Sequence, residues 1–171
     1  MTFESTLRAG AMSLALLLAP LAAFATSIPE ATGEIVLTID GALGPDAPVT
    51  GYSLDLAALQ ALPAVSFETT TIWTEGQQKY TGVSIKALLE TVGAKGETIV
   101  AEALNGYSIE IPIAELDDGA PILAYFIDDK PFSRRDKGPL WVIFPYDSDA
   151  KYRSEITYAY SIWQLHKLTV K

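Results

Sequence analysis

The chain has 171 residues, a formal net charge of −9 at pH 7 and no cysteine. An acidic surface repels nucleic-acid backbones and anionic lipid faces, so neither is expected as a partner. The missing thiols exclude disulfides, cysteine nucleophiles and thiolate-bound metal centres.

Met1 to Gly10 carries Arg8 against Glu4, and Ala11 to Ala25 is an apolar block broken by Pro20. That block is shorter than the roughly 20 residues a bilayer span needs. It closes on Ala23-Phe24-Ala25, a small-x-small cleavage pattern before Thr26. Residues 1–25 therefore read as a secretory signal peptide. No cysteine follows, which excludes a lipoprotein anchor. The mature chain, 26–171, has the size of one domain with a proper core. Export without cysteine fits a bacterial periplasm.

Thr26 to Gly33 is a polar lead-in. Glu34 to Ile39 is rich in β-branched residues and predicts a strand. Asp40 to Gly51 is loop. Ser53 can cap a short helix over Leu54 to Leu62, stopped by Pro63. Val65 to Trp73 alternates as a strand does and meets a turn at Glu75-Gly76. Ile85 to Val92 predicts a helix, capped by Ser84 and closed by Gly93, with Ile85, Leu88, Leu89 and Val92 on one face. Thr98 to Leu104 and Tyr107 to Ile111 flank Asn105-Gly106, a strong hairpin signal. Ile122 to Ile127 is a further strand, with a turn at Asp128-Asp129. Leu140 to Phe144 reads as a buried strand. Ile156 to Val170 is rich in aromatic and β-branched residues and ends in a strand from about Leu165. Many short strands and few helices imply an α+β fold in which mixed β-sheets carry a few short helices.

One basic island stands out in this acidic chain: Arg134, Arg135 and Lys137, leading through Gly138-Pro139 into the apolar run. The planar fork of arginine suits an anionic or carbonyl-rich ligand, and Gly138 lets the backbone come close. The same cations could instead pair with Asp136 or Asp129 on a solvated loop. Trp73 can stack on a flat heterocycle or serve as a core aromatic. Thr69 and Thr71 offer hydroxyls that β-propensity alone also explains. Asn105 and Tyr107 flank a tight turn, where asparagine needs no ligand to be favoured. His166 is the sole histidine and lacks the partners of a zinc site or a catalytic triad, so it reads as structural. Asp117-Asp118 and Asp128-Asp129 do not follow the spacing of a calcium loop. No phosphate loop or nucleophile elbow is present.

Several segments in order resemble the sulfite-oxidase-type molybdopterin-binding domain. They are Thr70-Thr71-Ile72-Trp73-Thr74-Glu75-Gly76, Tyr80-Thr81-Gly82-Val83-Ser84-Ile85-Lys86-Ala87-Leu88-Leu89, Ala103-Leu104-Asn105-Gly106-Tyr107-Ser108-Ile109-Glu110-Ile111-Pro112 and Arg135-Asp136-Lys137-Gly138-Pro139-Leu140-Trp141-Val142-Ile143. In enzymes of that family a cysteine thiolate binds molybdenum and the pterin's dithiolene completes the coordination. The resemblance places the equivalent of that cysteine near Thr70 or Thr71, and a hydroxyl is a poor substitute for a soft thiolate. It implies a small, exported, stand-alone member without the metal ligand, similar to periplasmic pterin-binding proteins that signal to membrane-bound cyclic-di-GMP enzymes. The function so implied is non-catalytic binding of a pterin or similar flat heterocycle. Thr71, Trp73, Asn105, Tyr107, Arg134, Arg135 and Lys137 are the candidate ligand residues, and a membrane-bound signalling or electron-transfer protein is the candidate partner. The alternative is a molybdopterin-dependent oxidoreductase with a non-cysteine metal environment.

Overall fold

Leu37 and Ile39 are sealed inside the protein while their neighbours along Ile35–Gly41 stay partly exposed, the alternation of a half-buried strand. This is β1 of a computed structural model that describes residues 28–171. The leader expected over residues 1–25 lies outside the described residues. In chain order follow β2 (Tyr52–Asp55), α1 (Leu56–Gln60), β3 (Ala64–Thr70), β4 (Gln77–Ser84) and α2 (Ile85–Thr91). Then come β5 (Thr98–Ala103), β6 (Ser108–Pro112), β7 (Ile122–Ile127), β8 (Lys130–Pro131), β9 (Trp141–Ile143), α3 (Glu155–Tyr160) and β10 (Leu165–Val170).

Two five-stranded sheets result. The first runs β2-β1-β10-β5-β6, and the second β3-β4-β7-β8 with β9 also paired to β7. All pairs are antiparallel except β1 with β10, where Thr38 lies opposite Lys167. One buried cluster draws on both sheets, with Leu37, Ile99, Ile111 and Leu168 from the first meeting Tyr80, Ile122, Leu123 and Trp141 from the second. Among the described residues the architecture is α+β, with mixed sheets and three short helices, as the pattern of short strands implied.

Local chemistry explains the agreements. Ser84 accepts from the Ala87 amide at 3.3 Å and starts α2. Gly93 ends it in the left-handed region, φ +68°. The β5–β6 hairpin closes where Asn105-Gly106 predicted. Only Gly106 takes a positive φ (+82°), and its amide donates to the Ala103 carbonyl at 2.9 Å. That geometry is a turn followed by a glycine bulge, one residue longer than the two-residue Asn-Gly turn.

The departures have equally local causes. The helix expected over Leu54–Leu62 begins later, because Tyr52–Asp55 pairs with β1 and places Leu54 opposite Leu37. Asp55, not Ser53, caps α1. Its carboxylate accepts from Ala58 N at 2.7 Å, from Gly33 N at 2.7 Å and from Thr32 N at 2.8 Å. Those amides hold its pKa below the usual carboxylate value, the Ala58 amide most strongly. The strand expected to reach Trp73 stops at Thr70. There the Thr71 hydroxyl accepts from the Trp73 amide at 3.1 Å and turns the chain. The polar run Gln77–Lys79 concealed β4, and the β-branched Ile156 and Thr157 concealed α3, which Ser154 caps through the Thr157 amide at 3.1 Å.

Candidate aromatic cleft and basic rim

The turn after β3 drops Trp73 among other aromatic rings. Its centroid lies 5.8 Å from Trp141, 5.8 Å from Tyr158, 6.0 Å from Trp163 and 6.2 Å from Tyr146, every pair edge-to-face. Such pairs contribute about 0.5–1.5 kcal/mol each beyond the area they bury. Polar atoms beneath the rings are satisfied. The Trp141 indole donates to the Ser161 carbonyl at 3.0 Å, and the Tyr146 hydroxyl meets Ser161 Oγ at 2.6 Å. Burial pushes the Tyr146 phenol well above its ordinary value, so it stays neutral. This cluster forms the floor of the site.

Two clefts share the Trp73–Trp163 pair in their lining. The first, about 370 Å³, is lined by both tryptophans with Tyr158, Asn105 and Tyr107. The second, about 340 Å³, is lined by the same two tryptophans with Arg135, Asp136, Lys137 and Gln164. Each falls in the range of roughly 300–1,000 Å³ typical of small-molecule sites. Lys137 Nζ lies 5.4 Å from the Trp141 ring centroid and 5.9 Å from that of Trp163, cation–π contacts that hold the ammonium against the wall. Among the described residues neither Arg135 nor Lys137 forms a salt bridge. Asp129 pairs with Lys79 at 2.8 Å instead.

Of the seven candidate residues, five line these clefts: Trp73, Asn105 and Tyr107 the first, and Trp73, Arg135 and Lys137 the second. Thr71 and Arg134 are placed elsewhere. The Thr71 hydroxyl is engaged by Thr74 Oγ1 at 2.8 Å as well as by the Trp73 amide. The Arg134 guanidinium pairs with Glu34. Gly138 closes the loop that carries these cations, and a Cβ there would come within 2.6 Å of the Phe132 carbonyl. His166 points to Glu102 at 3.9 Å, away from both clefts. Sequence reasoning passed over Trp163, Tyr158 and Gln164. The available signal was the aromatic density of Tyr158 to Trp163 just before β10.

The two-sheet fold around one core agrees with the comparison of the sequence with protein families. The family model described as oxidoreductase molybdopterin binding domain matches residues 27–152. This chain belongs to that family. No curated protein matches it. The match ends before α3 and β10, yet β10 sits between β1 and β5 in the first sheet, and Tyr158, Trp163 and Gln164 lie beyond it too.

The family's cofactor joins a pterin to molybdenum, and the two parts fare differently against these residues. The sequence has no cysteine, and among the described residues no three His, Asp or Glu side chains gather into a metal site. Near the expected metal-ligand position the Thr70 amide and hydroxyl both donate to Asp147, at 2.6 and 2.9 Å. Asp147 in turn donates its amide to Thr69 Oγ1 at 3.1 Å. The Thr70 amide and hydroxyl hold the Asp147 carboxyl below its usual range. The donor set does not fit a soft, thiolate-seeking metal. It does fit a planar ring: Trp73, Trp163, Tyr158 and Tyr107 offer aromatic surface, and Asn105 offers a polar edge.

Proposed function

We propose that this protein is a periplasmic, non-catalytic binder of a pterin or similar flat heterocycle, and that the loaded form signals to a membrane-bound partner. One observation carries the reading. Trp73 and Trp163 line both an aromatic cleft and a second cleft with Arg135 and Lys137, which form no salt bridge among the described residues. The ring would lie in the aromatic cleft, with the Asn105 side chain at its polar edge. Arg135 and Lys137 would meet any anionic substituent, each charged hydrogen bond contributing roughly 1.5–3 kcal/mol where water is excluded. The leader-like segment, with the family match starting at residue 27, supports export.

The direct test is to purify the protein from the periplasm, extract bound small molecules and identify them by fluorescence and mass spectrometry. A fluorescent pterin is expected, and the stripped protein should rebind it. A protein that carries no heterocycle and ignores added pterin overturns the proposal. Family membership favours a second reading, an oxidoreductase in which oxygen ligands replace the thiolate and an electron-transfer protein is the partner. Stoichiometric molybdenum in native protein, by elemental analysis, would establish that reading in place of the first.

A further inference from the structure

Gln164 and Lys137 are two of only four non-glycine residues with a positive φ among the described residues, at 53° and 100°. They meet directly, for the Gln164 amide donates to the Lys137 carbonyl at 3.0 Å. The Gln164 carbonyl accepts from the Leu104 amide at 2.9 Å. Its side-chain amide donates to the Arg134 carbonyl at 2.7 Å. Backbone in this region persists at such residues only where the surroundings over-determine it, and three hydrogen bonds do so here.

Those three bonds join segments far apart in sequence. Leu104 belongs to the hairpin tip that presents Asn105 and Tyr107 to the aromatic cleft. Arg134 and Lys137 belong to the loop that presents Arg135 and Lys137 to the basic cleft. Gln164 follows Trp163, which lines both. We infer that Gln164 is a positioning residue that holds the two clefts in one register, so that a single ligand with a flat ring and an anionic arm engages both. This rests on the ring-binding reading and narrows it to a ligand class. A bare ring occupies the aromatic cleft alone and is indifferent to the Gln164–Arg134 bond. A ring with a carboxylate or phosphate arm depends on it.

Two variants separate this role from a merely structural one. Asparagine tolerates left-handed backbone, and in Gln164→Asn its shorter side chain no longer reaches the Arg134 carbonyl. Gln164→Gly keeps the backbone and deletes the side chain. Fluorescence titration with pterin and with pterin-6-carboxylate supplies the readout. In both variants the affinity for pterin-6-carboxylate relative to that for pterin should fall about tenfold, the loss of one charge-linked contact. Equal losses for the two probes, or none for either, overturn the inference.

A measurement on the wild type needs no variant to fold. In hydrogen exchange, pterin-6-carboxylate should protect both the 103–107 and the 133–138 segments, and protection of only one overturns the inference. Quenching without ligand keeps the two proposals distinguishable. Iodide, drawn by Arg135 and Lys137, should quench Trp73 and Trp163 better than neutral acrylamide in the wild type, and lose that advantage in Gln164→Asn. If neither pterin binds but this advantage is lost, the heterocycle reading fails and the positioning role stands. If Gln164→Asn keeps the wild-type advantage, the positioning role fails whatever binds.

Discussion

The end of β3 and the rim of the basic cleft are both polar, but their groups are in opposite states. At β3, the Asp147 carboxylate is held by the Thr70 amide and hydroxyl, and the Asp147 amide is held by Thr69. At the rim, Arg135 and Lys137 reach no carboxylate among the described residues, and Lys137 rests on tryptophan faces. Polar atoms that neighbours already engage hold the fold together. Cations that form no salt bridge on the wall of a cleft are available to a ligand. Thr70, near the position expected for the family's metal ligand, belongs to the first kind.

Substitutions on each side can break or sharpen that contrast. Trp73→Ala should do the most damage, because it removes the ring that touches Trp141, Tyr146, Tyr158 and Trp163. A stability loss of about 3 kcal/mol is expected in denaturant titration. Heterocycle binding should vanish with it, and a stable variant that still binds would show that the wall is not the site. Arg135→Ala should weaken binding of a carboxylated pterin about tenfold. Its stability should move by less than about 0.5 kcal/mol, since the side chain is exposed. A large stability loss there would mean that the cation is structural after all.

The threonine side calls for the reverse result. Thr71→Val should cost about 1 kcal/mol of stability, for the hydroxyl that serves Thr74 and the Trp73 amide. Ligand affinity should stay unchanged, and a loss of affinity in calorimetry would return Thr71 to the ligand site. The smallest effect is expected from Asp147→Asn, read as a pH dependence. The folded-state pKa of Asp147 lies below its ordinary value, so its contribution is complete above about pH 4 and is lost as pH falls through the folded pKa. The stability gap between wild type and variant should therefore narrow on acidification and be constant near neutrality.

How much was legible depended on whether the deciding interaction was local. Helix α2 could be read because Ser84, the apolar face from Ile85 to Leu89 and Gly93 are neighbours in sequence. Strand β7 and the left-handed pair Asp128-Asp129 after it are likewise local. Strand β4 was not legible, since the polar run Gln77–Lys79 acquires strand structure from its pairing with β3 and only Tyr80–Ser84 also pairs with β7. Ser53 lost its capping role to Asp55 because β1, distant in sequence, recruited Tyr52–Asp55. In the site, Trp73, Asn105, Tyr107, Arg135 and Lys137 could be named as candidates one at a time. Nothing local told Arg134 from Arg135: one faces Glu34 and the other lines a cleft.

The sequence by itself determined the α+β class, most of the strands, the turns at Asn105-Gly106 and Asp128-Asp129, and the lack of any thiolate for a metal. Each of these follows from residue chemistry or short-range pattern. Only the tertiary structure decided which polar groups are already engaged, that Trp73 and Trp163 share two clefts, and that Gln164 bridges the loops around them. Those outcomes depend on contacts between segments dozens of residues apart, where packing and hydrogen-bond satisfaction overrule local preference.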